Sequence, residues 1–159
     1  MPRATEQPQR TPAGDALSRL VIRVFQLNGL LTSIGDELAK PAGQTSARWQ
    51  VLAAIEDEPL TVAQIARVLR LMRQSVQRVA DLLERDGLAA YEDNPAHRRA
   101  KLLRLTPAGR AALRSIQDAQ RAWADGLGKT VGEADLKRAT ATLDRLLDAA
   151  LRERGASRG

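Results

Sequence analysis

Apolar residues in the first third of the chain fall at Leu17, Leu20, Val24, Leu27, Leu31, Ile34 and Leu38, in alternating steps of three and four. That spacing predicts an amphipathic helix of about three heptads, with Asp15 as its N-cap. Val21, Ile22, Phe25 and Leu30 lie off the stripe, so the helix is apolar around more of its circumference than one buried face requires. The expected arrangement buries two faces, one in its own subunit and one against a partner. Gly29 and Gly35 weaken the helix, each costing roughly 1 kcal/mol relative to alanine.

Pro41-Ala42-Gly43 breaks this pattern, and a short helix follows with Arg48, Trp49, Val51, Leu52 and Ile55 at helical spacing. Beyond Pro59, Thr61 with Gln64 three residues later forms a capping box at the start of VAQIARVL. The stretch RQSVQRVADLLERDG then reads as a second short helix. Val76, Val79, Leu82 and Leu83 mark its buried face, and Arg73, Gln74, Gln77, Arg78, Asp81 and Arg85 its solvent face, with Gly87 as the stop. Two short helices joined by a tight connection make a helix-turn-helix by spacing, although structural helical hairpins share that spacing. Residues 88–92 and 100–106 read as short strands around the turn-forming, basic segment DNPAHRRAKL, which completes a winged helix-turn-helix. Thr106-Pro107 starts a further helix with Leu113, Ile116, Trp123 and Leu127 on its apolar side. Gly126, Gly128 and Gly132 loosen the next connection, and a last helix from Glu133 carries Leu136, Leu143, Leu146, Leu147 and Leu151. The predicted class is mainly α with a small β-hairpin wing.

Composition narrows the chemistry. Only 3% of the 159 residues are aromatic against 43% apolar overall, as befits an aliphatic, helical core. Arg23, Gln26 and Asn28 interrupt the most hydrophobic stretch before it reaches the ~18 residues of a membrane span, so a soluble, cytoplasmic protein without a membrane partner is expected. The absence of cysteine excludes disulfides, thiolate ligands and thiol switches, and a single histidine, His97, leaves no metal-ligand cluster. No nucleophile–histidine–acid set or phosphate-cradling glycine loop can be assembled either. Neither catalytic residues nor a cofactor are expected. Residues 67–110 hold ten Arg/Lys against five Asp/Glu, a surplus of five in a chain whose whole net charge is +6. The basic character therefore belongs to the central module, which points to an anionic partner.

Taken together, LTVAQIARVL, RQSVQRVADLLERDGL and DNPAHRRAKLLRLTPAGR resemble the MarR family of winged-helix transcriptional regulators, and the flanking helices follow the same order. The resemblance spans roughly residues 15–151. It implies dimerisation helices at 15–40 and 107–151 around a winged helix-turn-helix module at 46–106. Residues 1–14 would then be a disordered N-terminal tail, and residues 152–159 a flexible basic C-terminal one. It further implies a homodimer on a pseudo-palindromic operator in double-stranded DNA, usually as a repressor released by a small aromatic or lipophilic effector. Arg73, Gln74, Ser75, Gln77 and Arg78 correspond to the recognition helix, with Thr61 at the start of the preceding one. Arg is shaped to donate twice to guanine and Gln to pair with adenine, whereas Ser75 would meet a phosphate. Arg98 corresponds to a wing-tip arginine for the minor groove, flanked by Arg99 and Lys101 along phosphates. Gln26, Asn28 and Trp49 are candidates for the effector pocket, each equally legible as a core or interface residue.

Three positions depart from the family pattern. His97 and Asn94 stand where acids are frequent, which leaves the wing's internal salt bridge in question. Met72 replaces a capping serine and is expected to pack inside the turn, at a cost of ~1 kcal/mol for the missing cap. A helical interaction module that binds RNA or an acidic protein with the same basic face is the alternative, and the wing is what argues for a duplex instead.

Overall fold

The computed structural model describes residues 10–156. Within them the chain forms two compact units, one running through Ile116 and one from Gln117 onward. The first unit opens with α1, Pro12–Ala39, followed by a short 3-10 turn and α2, Ser46–Ala54. A two-residue strand β1, Leu60–Thr61, leads into the helix-turn-helix pair α3, Val62–Leu69, and α4, Arg73–Arg85. The hairpin strands β2, Ala89–Glu92, and β3, Leu102–Leu105, come next, and then α5, Pro107–Val131, whose later turns belong to the second unit. That unit is completed by α6, Glu133–Ala156.

The sheet is antiparallel with strand order β1-β3-β2, so the hairpin has a third strand. Leu60 pairs with Leu103 and Thr61 with Leu102 on one side of β3, while Tyr91 pairs with Leu103 and Glu92 with Leu102 on the other. Two residues are too few for any alternation of polar and apolar side chains, so β1 has no signature of its own in the sequence. Its effect is to tie the start of α3 to the root of the wing. Leu52, Ile65, Leu83 and Leu103 are wholly buried and, with Val51, Ile55, Val76 and Leu113, form one aliphatic core beneath the helix-turn-helix and the sheet.

Several boundaries differ from the sequence reading. The first helix starts at Pro12, because the Thr11 hydroxyl accepts the Gly14 amide at 3.1 Å and proline suits the first helical position. Residues 12–14 are therefore helical and not part of a tail; residues 1–9 lie outside the described residues. At the other end α6 continues through Ala156, so residues 152–156 are helical, as their Arg, Glu and Ala content favours. Residues 157–159 lie outside the described residues. Helix α5 continues through Gly126 and Gly128 and ends only where Gly132 adopts a left-handed φ of 91°. Met72 is 74% exposed and does not pack inside the turn.

Glycine has a packing role at two positions. A Cβ on Gly35 would stand 2.7 Å from the Ser46 hydroxyl oxygen, so glycine lets α1 approach the start of α2, where Asp36 accepts the Ser46 amide at 2.6 Å. A Cβ on Gly109 would lie 1.9 Å from the Leu88 carbonyl oxygen. Here α5 begins directly against the chain entering β2. The Thr106 hydroxyl completes that junction by accepting the Gly109 amide at 3.1 Å and donating to the Gly87 carbonyl at 2.7 Å.

Candidate nucleic-acid interface

Val76, Ala80 and Leu83 are buried under α4, which turns Arg73, Gln74, Ser75 and Arg78 to solvent. Helical periodicity thus places these four residues on the face away from the buried anchors. No side chain caps the α4 N-terminus, because Met72 offers no hydroxyl, so this helix start presents unsatisfied amides beside Arg73. The preceding helix is capped completely. Thr61 accepts the Gln64 amide at 3.2 Å, and the Gln64 side chain accepts the Thr61 amide at 2.8 Å. The Thr61 hydroxyl also donates to Gln64 Oε1, which commits its hydrogen to the cap.

The candidate residues fall along three neighbouring clefts. One, of about 270 Å³, is lined by Thr61, Arg73, Gln77, Arg99 and Lys101 together with Tyr91. A second follows α4 past Gln74, Gln77 and Arg78. The third lies at the wing tip, where Arg98 stands beside Asp93, Asn94 and Pro95. Ser75 is exposed on α4. The effector candidates are not gathered in this way. Gln26 and Asn28 are exposed on α1, where Gln26 accepts from Arg23 at 2.9 Å, whereas Trp49 is half-buried against the winged-helix core. None of the three lines any of these clefts.

Charge is sorted within the basic module. Arg85 pairs with Asp86 at 3.1 Å and Arg104 with Glu92 at 3.0 Å, while Arg48 of α2 also pairs with Asp86 and donates to the Leu82 carbonyl at 3.4 Å. Arg48 first, and Arg85 after it, hold the Asp86 carboxyl below the usual carboxylate range. Among the described residues, Arg73, Arg78, Arg98, Arg99 and Lys101 have no acidic partner. No ion pair joins Arg78 to Asp81, whose Oδ1 accepts from the Gln77 amide nitrogen at 2.8 Å and from the Tyr91 hydroxyl at 2.9 Å. Cations left unpaired beside neutralised ones present a positive surface to an anionic partner.

The wing holds its shape without an acid at position 97. Asn94 accepts the Ala96 amide on its side chain at 3.0 Å and the His97 amide on its carbonyl at 3.2 Å, and the His97 carbonyl accepts the Ala100 amide at 3.0 Å. Successive turns thus carry Arg98 and Arg99 outward, and the wing's ion pair sits at its root, between Glu92 and Arg104. Tyr91, Asp81, Arg48 and Asp86 all shape this region, and the sequence assigns none of them a part in the interface. Only their proximity in space, across 10 residues for Tyr91–Asp81 and 38 for Arg48–Asp86, gives them a role.

Among the described residues no helix is long and apolar enough to cross a membrane. Comparison with known proteins agrees with the architecture. A model of the MarR family matches residues 42–100, which cover the helix-turn-helix and most of the wing. An uncharacterized protein of Mycobacterium tuberculosis is 42% identical over 140 residues, covering 88% of this chain and 98% of its own. The transcriptional activatory protein BadR of Rhodopseudomonas palustris is 29% identical over 135 residues, 82% of this chain and 75% of its own. The crystal structure of the M. tuberculosis transcriptional regulator MosR in complex with DNA superposes with a TM-score of 0.69 at 25% identity, over 82% of this chain and 96% of that one. An exposed recognition helix, a wing carrying unpaired arginines and these likenesses lead to one assignment: the chain belongs to the MarR family of transcription regulators, which are DNA-binding proteins and not enzymes.

Proposed function

We propose that this regulator binds a pseudo-palindromic duplex site as a homodimer, each protomer laying α4 in a major groove and the Arg98 wing in the adjacent minor groove. The observation that carries this reading is that Arg73, Arg78, Arg98, Arg99 and Lys101, on α4 and the wing, have no acidic partner, while Arg48, Arg85 and Arg104 of the same module are ion-paired. Arg78, free of Asp81, is the side chain suited to read guanine; Arg73, Arg99 and Lys101 line one cleft and suit phosphate oxygens. Thr61 would contribute through its helix terminus and not through its committed hydroxyl. Gln74 and Ser75 complete the exposed first turns of α4.

The dimer accounts for α1, on which Leu17, Ile22, Phe25, Leu27 and Leu30 are exposed, and on separate grounds for α6, where Leu136, Leu147 and Leu151 are exposed. Whether occupancy blocks or recruits transcription depends on where the site lies relative to a promoter. The repression implied by the family pattern and the activation in BadR's name are both compatible with such a contact. A small aromatic or lipophilic effector belongs to the same reading, with Trp49 as its stacking surface and Gln26 and Asn28 as polar contacts.

Footprinting on selected genomic fragments tests this. The expected footprint is two-fold symmetric, with half-sites about one helical turn apart. Affinity should fall on the order of a thousandfold between low and moderate salt. An asymmetric footprint, a flat salt response, or equal binding of single-stranded RNA in competition overturns the proposal. Arg78→Ala should relax base preference, and Arg98→Ala should weaken binding most at sites with an A·T-rich flank.

A further inference from the structure

A glutamine amide has two donors at one end and an acceptor oxygen at the other, so the end that faces a base edge decides what it can read. Neighbours fix this choice for Gln77. Its Nε2 lies 2.8 Å from Asp81 Oδ1 and 2.8 Å from the Tyr91 hydroxyl oxygen, and that hydroxyl donates to the same Asp81 oxygen at 2.9 Å. A carboxylate only accepts, so the nitrogen end must face Asp81. The Tyr91 hydrogen is committed to Asp81, so its oxygen offers Gln77 a lone pair. The three sides are nearly equal, so the two acceptors stand about 60° apart at Nε2, close enough for its two N–H bonds, about 120° apart, to lean one on each. Oε1 is left without a partner and is not buried, on a residue that borders both the α4 cleft and the cleft of Arg73 and Arg99.

The triangle stands on rigid ground. Val76 and Ala80 anchor α4 on either side of Gln77, and Tyr91 is paired across β2 with the wholly buried Leu103. Burial, and after it the Asp81 carboxylate, push the Tyr91 hydroxyl above its ordinary range, which keeps it protonated.

We propose that Asp81 and Tyr91 are specificity-determining positioning residues, which by engaging both donors of Gln77 make it an acceptor-only reader of a base amine, adenine N6 or cytosine N4. A free glutamine would select adenine alone, by donating to N7 while accepting from N6. Guanine O6 and thymine O4 present acceptors at the corresponding place and are disfavoured by Oε1. The inference rests on α4 occupying the major groove, so its test must separate the two claims.

The experiment is selection from a randomised duplex library with the full-length protein, Gln77→Leu and Tyr91→Phe. The unaltered protein should enrich A and C alike over G and T at one position of each half-site, about three- to tenfold. Gln77→Leu should abolish that enrichment and leave the other positions unchanged. Tyr91→Phe keeps the ring but releases one N–H, and should narrow the choice to A over C by a similar factor. Adenine alone in the unaltered protein overturns the inference, as does a Tyr91→Phe profile of unchanged shape and uniformly lower affinity. A preference within the α4 footprint that Gln77→Leu does not move removes the inference but not the groove assignment. No base preference anywhere under α4 removes both.

Discussion

Leu83 and Leu103 in the winged module are wholly shielded from water, whereas Phe25 and Leu30, on a helix at least as apolar, are 71% and 58% exposed. The winged module carries its own cover: α2, α3, α4, the sheet and the first turns of α5 contribute to one aliphatic core. Helix α1 has only its last turns fixed, at Gly35 and Ala39, where it meets α2. Equal hydrophobicity therefore has two destinations. One region folds into a finished surface that can be spent on recognition, and the other presents an apolar face that only another surface can remove from water.

The strongest perturbation of the self-contained region is Gly109→Ala. The new methyl would sit 1.9 Å from the Leu88 carbonyl oxygen and 3.1 Å from Leu105 Cδ2, and the closest clash is with backbone, which cannot yield as a flexible side chain would. Destabilisation of about 3 kcal/mol or more is expected in denaturant unfolding, with loss of duplex binding as β2 is displaced. Unfolding within 1 kcal/mol of the unaltered protein would mean that α5 and β2 are not packed as described.

The next largest effect addresses the unfinished region. Leu30→Asp should leave the protomer folded, since an exposed position tolerates a charge within about 0.5 kcal/mol. It should convert a dimer to monomers in sedimentation, because a carboxylate confined between apolar faces costs several kcal/mol. Affinity for a full palindrome then drops towards that for a half-site. A variant that remains dimeric with an unchanged dissociation constant removes α1 from the interface, and the comparison between the regions with it.

These two regions also differ in how well the sequence foretells them. The winged module was legible because its signals are local: the Thr61–Gln64 capping box, the buried spacing of Val76 and Leu83, and the Thr106-Pro107 start all act within a few residues, although Leu82, read as buried with them, borders the α4 cleft instead. Burial was legible on α4 for the same reason, and the exposure of Arg73 and Arg78 followed from it. Illegible were the contacts made across the fold. Nothing near Gln77 in the chain announces that Tyr91 and Asp81 engage its nitrogen, and nothing near Asp86 announces Arg48. The Met72 expectation failed because hydrophobicity was read as burial, in a turn too tight to enclose a long side chain. For α1 the periodicity was plain, but a stripe of leucines records only that a cover exists and not which chain supplies it.

A smaller effect lies at the joint between α2 and α4. Asp86 has its carboxyl held below its ordinary value of 3.8 by Arg48 and Arg85, so the paired state gains from a charged Asp86 that the unfolded chain does not favour equally. A lowered folded-state value contributes stability above the unfolded value and loses it as the pH falls through the folded one. Asp86→Asn should therefore melt below the unaltered protein at neutral pH, and the gap should close as the pH drops below 3.8. A gap that stays constant with pH would show that the carboxylate's charge is not what joins the two helices.

The smallest effect sharpens the comparison most finely. Gly29 lies inside α1 with nothing within 4 Å of a Cβ placed there, so in a lone protomer alanine should stabilise the helix by about 1 kcal/mol. Its counterpart Gly109, with a backbone carbonyl in the way, shows what glycine does when a second segment needs the room. If a partner's helix packs on α1 at Gly29, the methyl would intrude between two backbones and the gain would shrink or reverse in the dimer. Melting Gly29→Ala well above and well below the concentration at which the protein dissociates separates these cases. The expected result is the full gain in the dilute sample and a smaller one in the concentrated sample. Equal gains would place the contact between protomers elsewhere on the helix, on a face carrying Phe25 or Leu30 but not the glycine.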